Sequence, residues 1–454
     1  MTLRHLLIAG GLMLCASLQA QTAKNVIFFL GDGMGPATIT AARIYKSGEA
    51  GQLTMDTLPR TARIKTYSND AQTTDSAPSM AAYMTGVKMN NEVISMSPDT
   101  VAKPPAADGS STCGSANGTP VATLLELAKA KGKSVGSVTT TRVTHATPAV
   151  TYAHICHRDA ENDIAAQAVL SGLGYNAALM NGLDVLLGGG RRHFIPKAAG
   201  GKRIDGRDLT AEMKAAGYAY ADTGTALSAV NAASTTKLLG LFHMDHMDYE
   251  LDRVKKQLDQ PSLAQMTTKA LEVLQKNSSG YFLMVEGGRI DHALHGTNAK
   301  RVMEDTVAFD DAIKAALAKV DLANTLIVVT ADHDHTLVIN GYAKKGNGIL
   351  DIVRDYKTGQ PALDADGNAY TALVFGNGPN RKDARTALVS GSDDATQVLH
   401  DDYLQESAVR MAPGGETHGG GDVKLFAAGA GADGFKGTMV NTGVFGLIKA
   451  ALGL

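Results

Sequence analysis

The chain has 454 residues, with 43 Lys and Arg against 45 Asp and Glu, and 44% of its residues are hydrophobic. A charge this close to balance gives no electrostatic footprint for nucleic acid or an anionic membrane as a partner. The length suits one large domain or two modest ones.

Arg4, the apolar run Leu6–Leu14 and the small residues ending at Ala20 have the layout of a cleavable signal peptide over residues 1–20, cut after Ala20. The run is shorter than the roughly 20 apolar residues a membrane anchor needs. Met13 and Leu14 are too bulky before Cys15 for a lipoprotein signal. No later stretch is apolar enough to span a membrane, so residues 21–454 are expected to be exported and soluble, in the periplasm or outside the cell. In that oxidising compartment Cys113 and Cys156 can pair. Two separate buried thiols remain the alternative, because sequence does not show proximity.

Strand-like and helix-like segments alternate along the rest of the chain. Asn25–Leu30, Ser134–Thr139, Tyr281–Val285, Thr325–Thr330 and Val423–Ala427 read as short buried strands. Ala122–Ala130, Leu263–Gln275, Ala299–Ala318 and Gly443–Ala451 carry apolar residues at helical spacing. Thr119 and Pro120 read as a helix start. The alternation predicts an α/β fold: a mostly parallel central sheet with helices on both faces. Residues 340–413, rich in Gly, Asn and Asp, depart from it and read as an inserted, irregular subdomain.

Three predicted strands run into acids: Asp32 between Gly31 and Gly33, Glu286 before Gly287-Gly288, and Asp332 before His333. Open α/β sheets bind ligands just beyond the carboxyl ends of their strands. Three like charges gathered there are tolerable only if cations occupy the cluster. One such acid alone is a turn residue or helix cap; three with histidines attached point to metal. Asp291 and His295, four apart, can meet one ion from one helical turn. His418, in a Gly-rich loop, can reach in from far along the chain, although on spacing alone it is a solvated histidine. Mixed Asp and His donors suit zinc, and an oxygen-only set suits magnesium.

Ser76, in Thr74-Asp75-Ser76-Ala77-Pro78, is the candidate nucleophile. Small residues after it suggest a helix beginning at or just past the serine, whose free amides and positive dipole end favour phosphate. Without metals nearby, the same residue reads as a plain N-cap.

These segments resemble the alkaline phosphatase family. The resemblance rests on Gly31-Asp32-Gly33-Met34-Gly35, Asp75-Ser76-Ala77 with Thr85-Gly86-Val87-Lys88, Ala146-Thr147-Pro148, Val285-Glu286-Gly287 with Asp291-His292, Thr330-Ala331-Asp332-His333, and Thr417-His418-Gly419-Gly420. They follow the family's order across residues 21–454. The resemblance implies hydrolysis of phosphate monoesters to alcohol and inorganic phosphate through a phosphorylated Ser76, with two zinc ions and one magnesium ion per chain. Asp291, His295 and His418 would hold one zinc; Asp32, Asp332 and His333 the other. Asp32, Thr147 and Glu286 would hold magnesium. Arg158 would grip the phosphoryl oxygens, and His335 would orient the carboxylate of the first zinc set.

His145 and His292 stand where the enteric bacterial type carries Asp and Lys, and where animal and some marine bacterial types carry His. Residues 340–413 resemble the crown of that branch, which implies a homodimer. The branch's calcium site draws on an acid after a Leu-Phe pair, but His243 follows Phe242 here. A calcium site is therefore not expected, and His243, Asp245, His246 and Asp248 read as a solvated loop. Rival readings are a phosphodiesterase or sulfatase of the same superfamily, which usually attack with threonine or a modified cysteine and lack the magnesium set, and a phosphate-binding protein without turnover.

Overall fold

Continuous apolar runs buried on both faces are what a parallel sheet requires. Three of them, Asn25–Gly31 (β1), Tyr281–Gly287 (β7) and Thr325–Thr330 (β8), are buried at every position. The protein is described by a computed structural model over residues 22–454, so the expected signal peptide of residues 1–20 lies outside the described residues. The other strands of the central sheet are Arg60–Lys65 (β2), Ser134–Arg142 (β3), Val185–Gly189 (β4), Ala219–Ala221 (β5), Leu238–Leu241 (β6), Val423–Gly429 (β14) and Gly437–Val440 (β15). Short strands Asp334–His335 (β9), Leu337–Ile339 (β10), Leu373–Gly378 (β11), Ser407–Arg410 (β12) and His418–Gly419 (β13) lie outside it.

The ten strands run in the order β15-β2-β14-β8-β1-β7-β3-β4-β6-β5. All neighbouring pairs are parallel except those of β14, which runs against both β8 and β2. The expected mostly parallel α/β sheet is therefore present, with Val423–Ala427 inside its one reversed strand. Register fixes the site. Leu30 of β1 lies opposite Glu286 of β7 on one side and Thr330 of β8 on the other. The three strands thus end level, and Asp32, Glu286 and Asp332 emerge side by side at one edge.

Helices cover the sheet in two mutually packed groups. Pro36–Ser47, Leu263–Leu274 and Ala299–Leu317 form one; Ser76–Thr85, Leu124–Ala130, Ala146–Tyr152 and Asn441–Leu452 form the other. The third helix starts at Leu124 rather than at Thr119-Pro120. Thr123 and Glu126 form a capping box in which Thr123 Oγ1 accepts from the Glu126 N–H (3.2 Å) and Glu126 Oε2 accepts from the Thr123 N–H (2.8 Å). Pro120 instead bridges to Met96 in extended backbone. Between Leu337 and Arg410, β10, β11 and β12 form a small separate sheet, and Ile352, Ala369, Val398 and Tyr403 make an apolar cluster apart from the main core.

Cys113 and Cys156 are joined by a disulfide, so the paired reading holds over that of two separate thiols. The bond ties the loop around Cys113 to the segment leading to Arg158, whose N–H donates to Glu92 O (2.8 Å). Replacing both cysteines by serine should lower stability by about 2–4 kcal/mol, the usual worth of a native disulfide. Urea unfolding of oxidised wild type and double variant at fixed metal concentration measures it, and coincident curves would show that the bond does not stabilise the fold.

Candidate functional site

Ser76 opens the helix Ser76–Thr85, and the residue that caps this helix is Asp75. Asp75 Oδ1 accepts from the Ala77 N–H at 2.7 Å, which leaves the serine hydroxyl free of capping duty. The plain N-cap reading of Ser76 thus passes to its neighbour. Ser76 Oγ lies 3.4 Å from Asp32 Oδ1 and 3.3 Å from His333 Nε2. The helix is pinned to the end of β8, because Ser79 Oγ donates to Asp332 O (2.6 Å) and Tyr83 OH to Ala331 O (2.9 Å).

Donor atoms converge in overlapping sets. Asp291, His295, His335 and His418 form one. Asp291 Oδ1 is 2.8 Å from His335 Nε2, 3.3 Å from His295 Nε2 and 3.5 Å from His418 Nε2, and the last two nitrogens are 3.1 Å apart. Asp32, Asp332 and His333 form a second, in which His333 Nε2 lies 3.2 Å from Asp32 Oδ1 and 3.4 Å from Asp332 Oδ2. Asp32, Glu286 and His145 form a third, so His145 joins a set for which the family resemblance implies Asp32, Glu286 and Thr147.

Main-chain carbonyls set the tautomers. His418 Nδ1 faces Thr74 O (2.8 Å), His333 Nδ1 faces Asp334 O (3.1 Å), and His295 Nδ1 faces Glu416 O. A carbonyl only accepts, so each Nδ1 carries the proton and each Nε2 turns a bare lone pair into the cluster. Such arrangements orient imidazoles toward metal.

The carboxylates carry the complementary signal. Asp32 Oδ2, Asp332 Oδ2, Glu286 Oε1 and Thr147 Oγ1 are buried with no hydrogen-bond partner. Burial, then the charges of Asp332, Asp291 and Glu286, hold the Asp32 carboxyl well above its ordinary range, and burial pushes Glu286 up to about 7. Orphaned acid oxygens beside bare imidazole nitrogens fit bound cations and little else. Glycines make the approach possible: Gly33 sits at φ +66°, and a Cβ on Gly35 would lie 1.6 Å from Asp334 Oδ1.

Arg158 faces this cluster. Its guanidinium donates to Asp75 Oδ1 (3.0 Å) and lies 3.0 Å from His145 Nε2. His145 and His292, the branch-marking pair, have ring centroids 5.3 Å apart. The loop expected to be solvated is corrected here in part. His246 packs 5.2 Å from His145 and 4.2 Å from His292, and Asp245 pairs with Arg142 and Arg192, because β3 and the loop after β6 meet beside the site. His243 and Asp248 join no metal-capable cluster among the described residues.

Sequence reasoning missed several contributors. Glu416 holds His335 Nδ1 (2.6 Å) and the Thr336 N–H (2.9 Å) while His335 holds Asp291. Thr139 and Thr141 donate to Glu286 Oε2. Only the position of Glu416 two residues before His418 hinted at its part; Thr139 closed the expected strand Ser134–Thr139 and Thr141 lay just beyond it, and nothing in their spacing pointed to Glu286.

The alkaline phosphatase family profile matches residues 23–454. The mouse tissue-nonspecific alkaline phosphatase is 40% identical over 445 residues, covering 91% of this chain and 80% of the relative. The crystal structure of the Thermus thermophilus alkaline phosphatase superposes with a TM-score of 0.71 at 27% identity, covering 96% of this chain and 92% of that one. A mutant TAB5 alkaline phosphatase, solved with Mg bound, gives 0.67 at 26% identity, covering 96% and 99%. With strand ends, serine helix and donor sets in the order expected of one enzyme family, and a profile match over nearly every described residue, the chain belongs to the alkaline phosphatase family of phosphomonoester hydrolases.

Proposed function

We propose that the chain hydrolyses phosphate monoesters through a phosphorylated Ser76. The observation that carries this reading is Ser76 Oγ placed between Asp32 and His333, at the first turn of a helix whose cap is another residue. Asp291, His295 and His418 would hold one zinc ion, Asp32, Asp332 and His333 another, and Asp32, Glu286 and Thr147 a magnesium ion. These ions would supply the positive charge that makes the serine hydroxyl acidic near neutrality and offsets charge on the leaving oxygen.

The chain's own residues do the rest. The phosphoryl group enters beside the positive end of the serine helix, and Arg158, aimed by Asp75, grips its oxygens. Ser76 Oγ forms a bond to phosphorus in line as the ester oxygen leaves with its electron pair. Water then attacks from the vacated side, the bond to Ser76 breaks, and serine and inorganic phosphate result. His335, held by Glu416, keeps Asp291 turned into the site. A phosphodiesterase is the alternative within the superfamily.

Residues 340–413 are proposed to seat a second copy of the chain, as the crown resemblance implies; Tyr342, Tyr356 and Leu363 leave large apolar surface there. Light scattering at micromolar concentration should give a dimer mass, and a monomer would count against this face. Residues 1–20 are proposed to direct export.

Removing metals with a chelator should abolish activity toward p-nitrophenyl phosphate. Zinc should restore most of it and magnesium add more. Metal analysis returning one ion per active chain would refute the three sets.

Two in-line displacements each invert phosphorus, so transfer from a chiral phosphate monoester to an alcohol acceptor should proceed with net retention. Radiolabelled phosphate trapped on the protein should map to Ser76 and vanish in Ser76→Ala, which should keep at most a weak residual rate. Net inversion, label elsewhere, or a bis-ester cleaved in preference to the monoester would each reject the scheme.

A further inference from the structure

Three arginines flank the His145, His246 and His292 cluster, and their charges are not equally balanced. Arg142 is paired with Glu161 and Asp245, and Arg158 with Asp75. Arg289 forms no ion pair among the described residues. Its Nη1 donates to His292 Nδ1 at 2.8 Å, its Nε is buried without a partner, and its guanidinium lies 3.7 Å over the Tyr249 ring. Five N–H donors therefore meet one acceptor. Asp305 is buried and accepts from the Glu250 N–H (3.4 and 3.3 Å) rather than pairing with Arg289, and burial raises its carboxyl above the ordinary range. A half-buried guanidinium without a counter-ion is costly, and an anion from outside would relieve it.

The site's opening shows where such an anion would come from. The side chain of His333, against Ser76, is 0% exposed, whereas those of His292 and His295 are 18% and 28% exposed. Both belong to the helix Arg289–His295. Arg289, tethered to His292 at 2.8 Å, thus starts the same helix that carries the partly exposed histidines bordering the opening. The planar fork, stacked on Tyr249, suits a phosphate.

We infer that Arg289 receives a second phosphate carried on the leaving group, making phosphate monoesters with such a group the preferred substrate class. This rests on the monoesterase reading. The competing explanation is that Arg289 only orients His292, in which case every substrate would feel its loss alike.

The test uses metal-loaded Ser76→Ala protein, titrated calorimetrically with fructose 1,6-bisphosphate and with fructose 6-phosphate. The bisphosphate should bind more tightly. Adding Arg289→Gln should weaken the bisphosphate about tenfold, the worth of one charge-assisted contact, and the monophosphate much less; Arg289→Lys should recover part. Equal losses for both ligands, a bisphosphate bound no better than the monophosphate, or neither ligand binding would overturn the assignment. Unfolding midpoints of both variants guard against misfolding. Binding is read without turnover, so wild type failing to cleave p-nitrophenyl phosphate would reject the Ser76 reading while leaving the Arg289 comparison to stand or fall by itself.

Discussion

Three carboxyl groups at the level ends of β1, β7 and β8 set the terms for everything around them. Asp32, Glu286 and Asp332 are fully buried, and each has an oxygen without a hydrogen-bond donor. Acids gathered this way repel one another and lose hydration, which is why Asp32 and Glu286 hold their protons far more tightly than free carboxyls. The sheet tolerates the arrangement because parallel pairing of β1 with both β7 and β8 locks their register from end to end. A one-residue slip would turn each acid to the opposite face. The energy stored in that crowding is what makes the edge a receptacle for positive charge.

The histidines answer the acids, and main chain rather than side chain aims them. Thr74 O, Asp334 O and Glu416 O each occupy an Nδ1, leaving three Nε2 lone pairs directed inward. Thr74 lies just before the serine and Asp334 just after β8, so the loops that carry the nucleophile and the acids also orient the imidazoles. Glu416 serves twice, through its carbonyl to His295 and its carboxylate to His335. Such shared supports couple the sets: moving one loop would disturb several donors at once.

Around this centre the arginines divide the surroundings by charge balance. Arg158 is drawn in by Asp75, the residue that caps the serine helix, so phosphate grip and nucleophile share one anchor. Arg142 is spent on Glu161 and Asp245 and holds the wall formed by His246. Arg289 keeps an unbalanced charge at the open side, and the proposed preference for a second phosphate follows from that imbalance.

Hydrophobic patterning and motif spacing were enough to specify the elements and the chemistry of their ends. Runs such as Phe28-Phe29-Leu30 and Val328-Val329-Thr330 are apolar on both faces, so they could only be interior strands, and the acids after them had to lie at the sheet's edge. Asp291 and His295 were legible because four residues make one helical turn. Helix capping was read less well: Thr119-Pro120 carried a start signal, but the reciprocal hydrogen bonds of Thr123 and Glu126 outweighed it. What the tertiary structure alone decided lies between segments distant in the chain. His246 looked like a loop residue until the approach of β3 to the loop after β6 placed it between His145 and His292. Glu416 was hinted at only by its place before His418, and the spacing of Thr139 and Thr141 pointed nowhere, because a buried carboxylate's partners depend on which backbones meet. The Cys113–Cys156 bond and the unpaired state of Arg289 were undetermined for the same reason: proximity and its absence are properties of the packed chain.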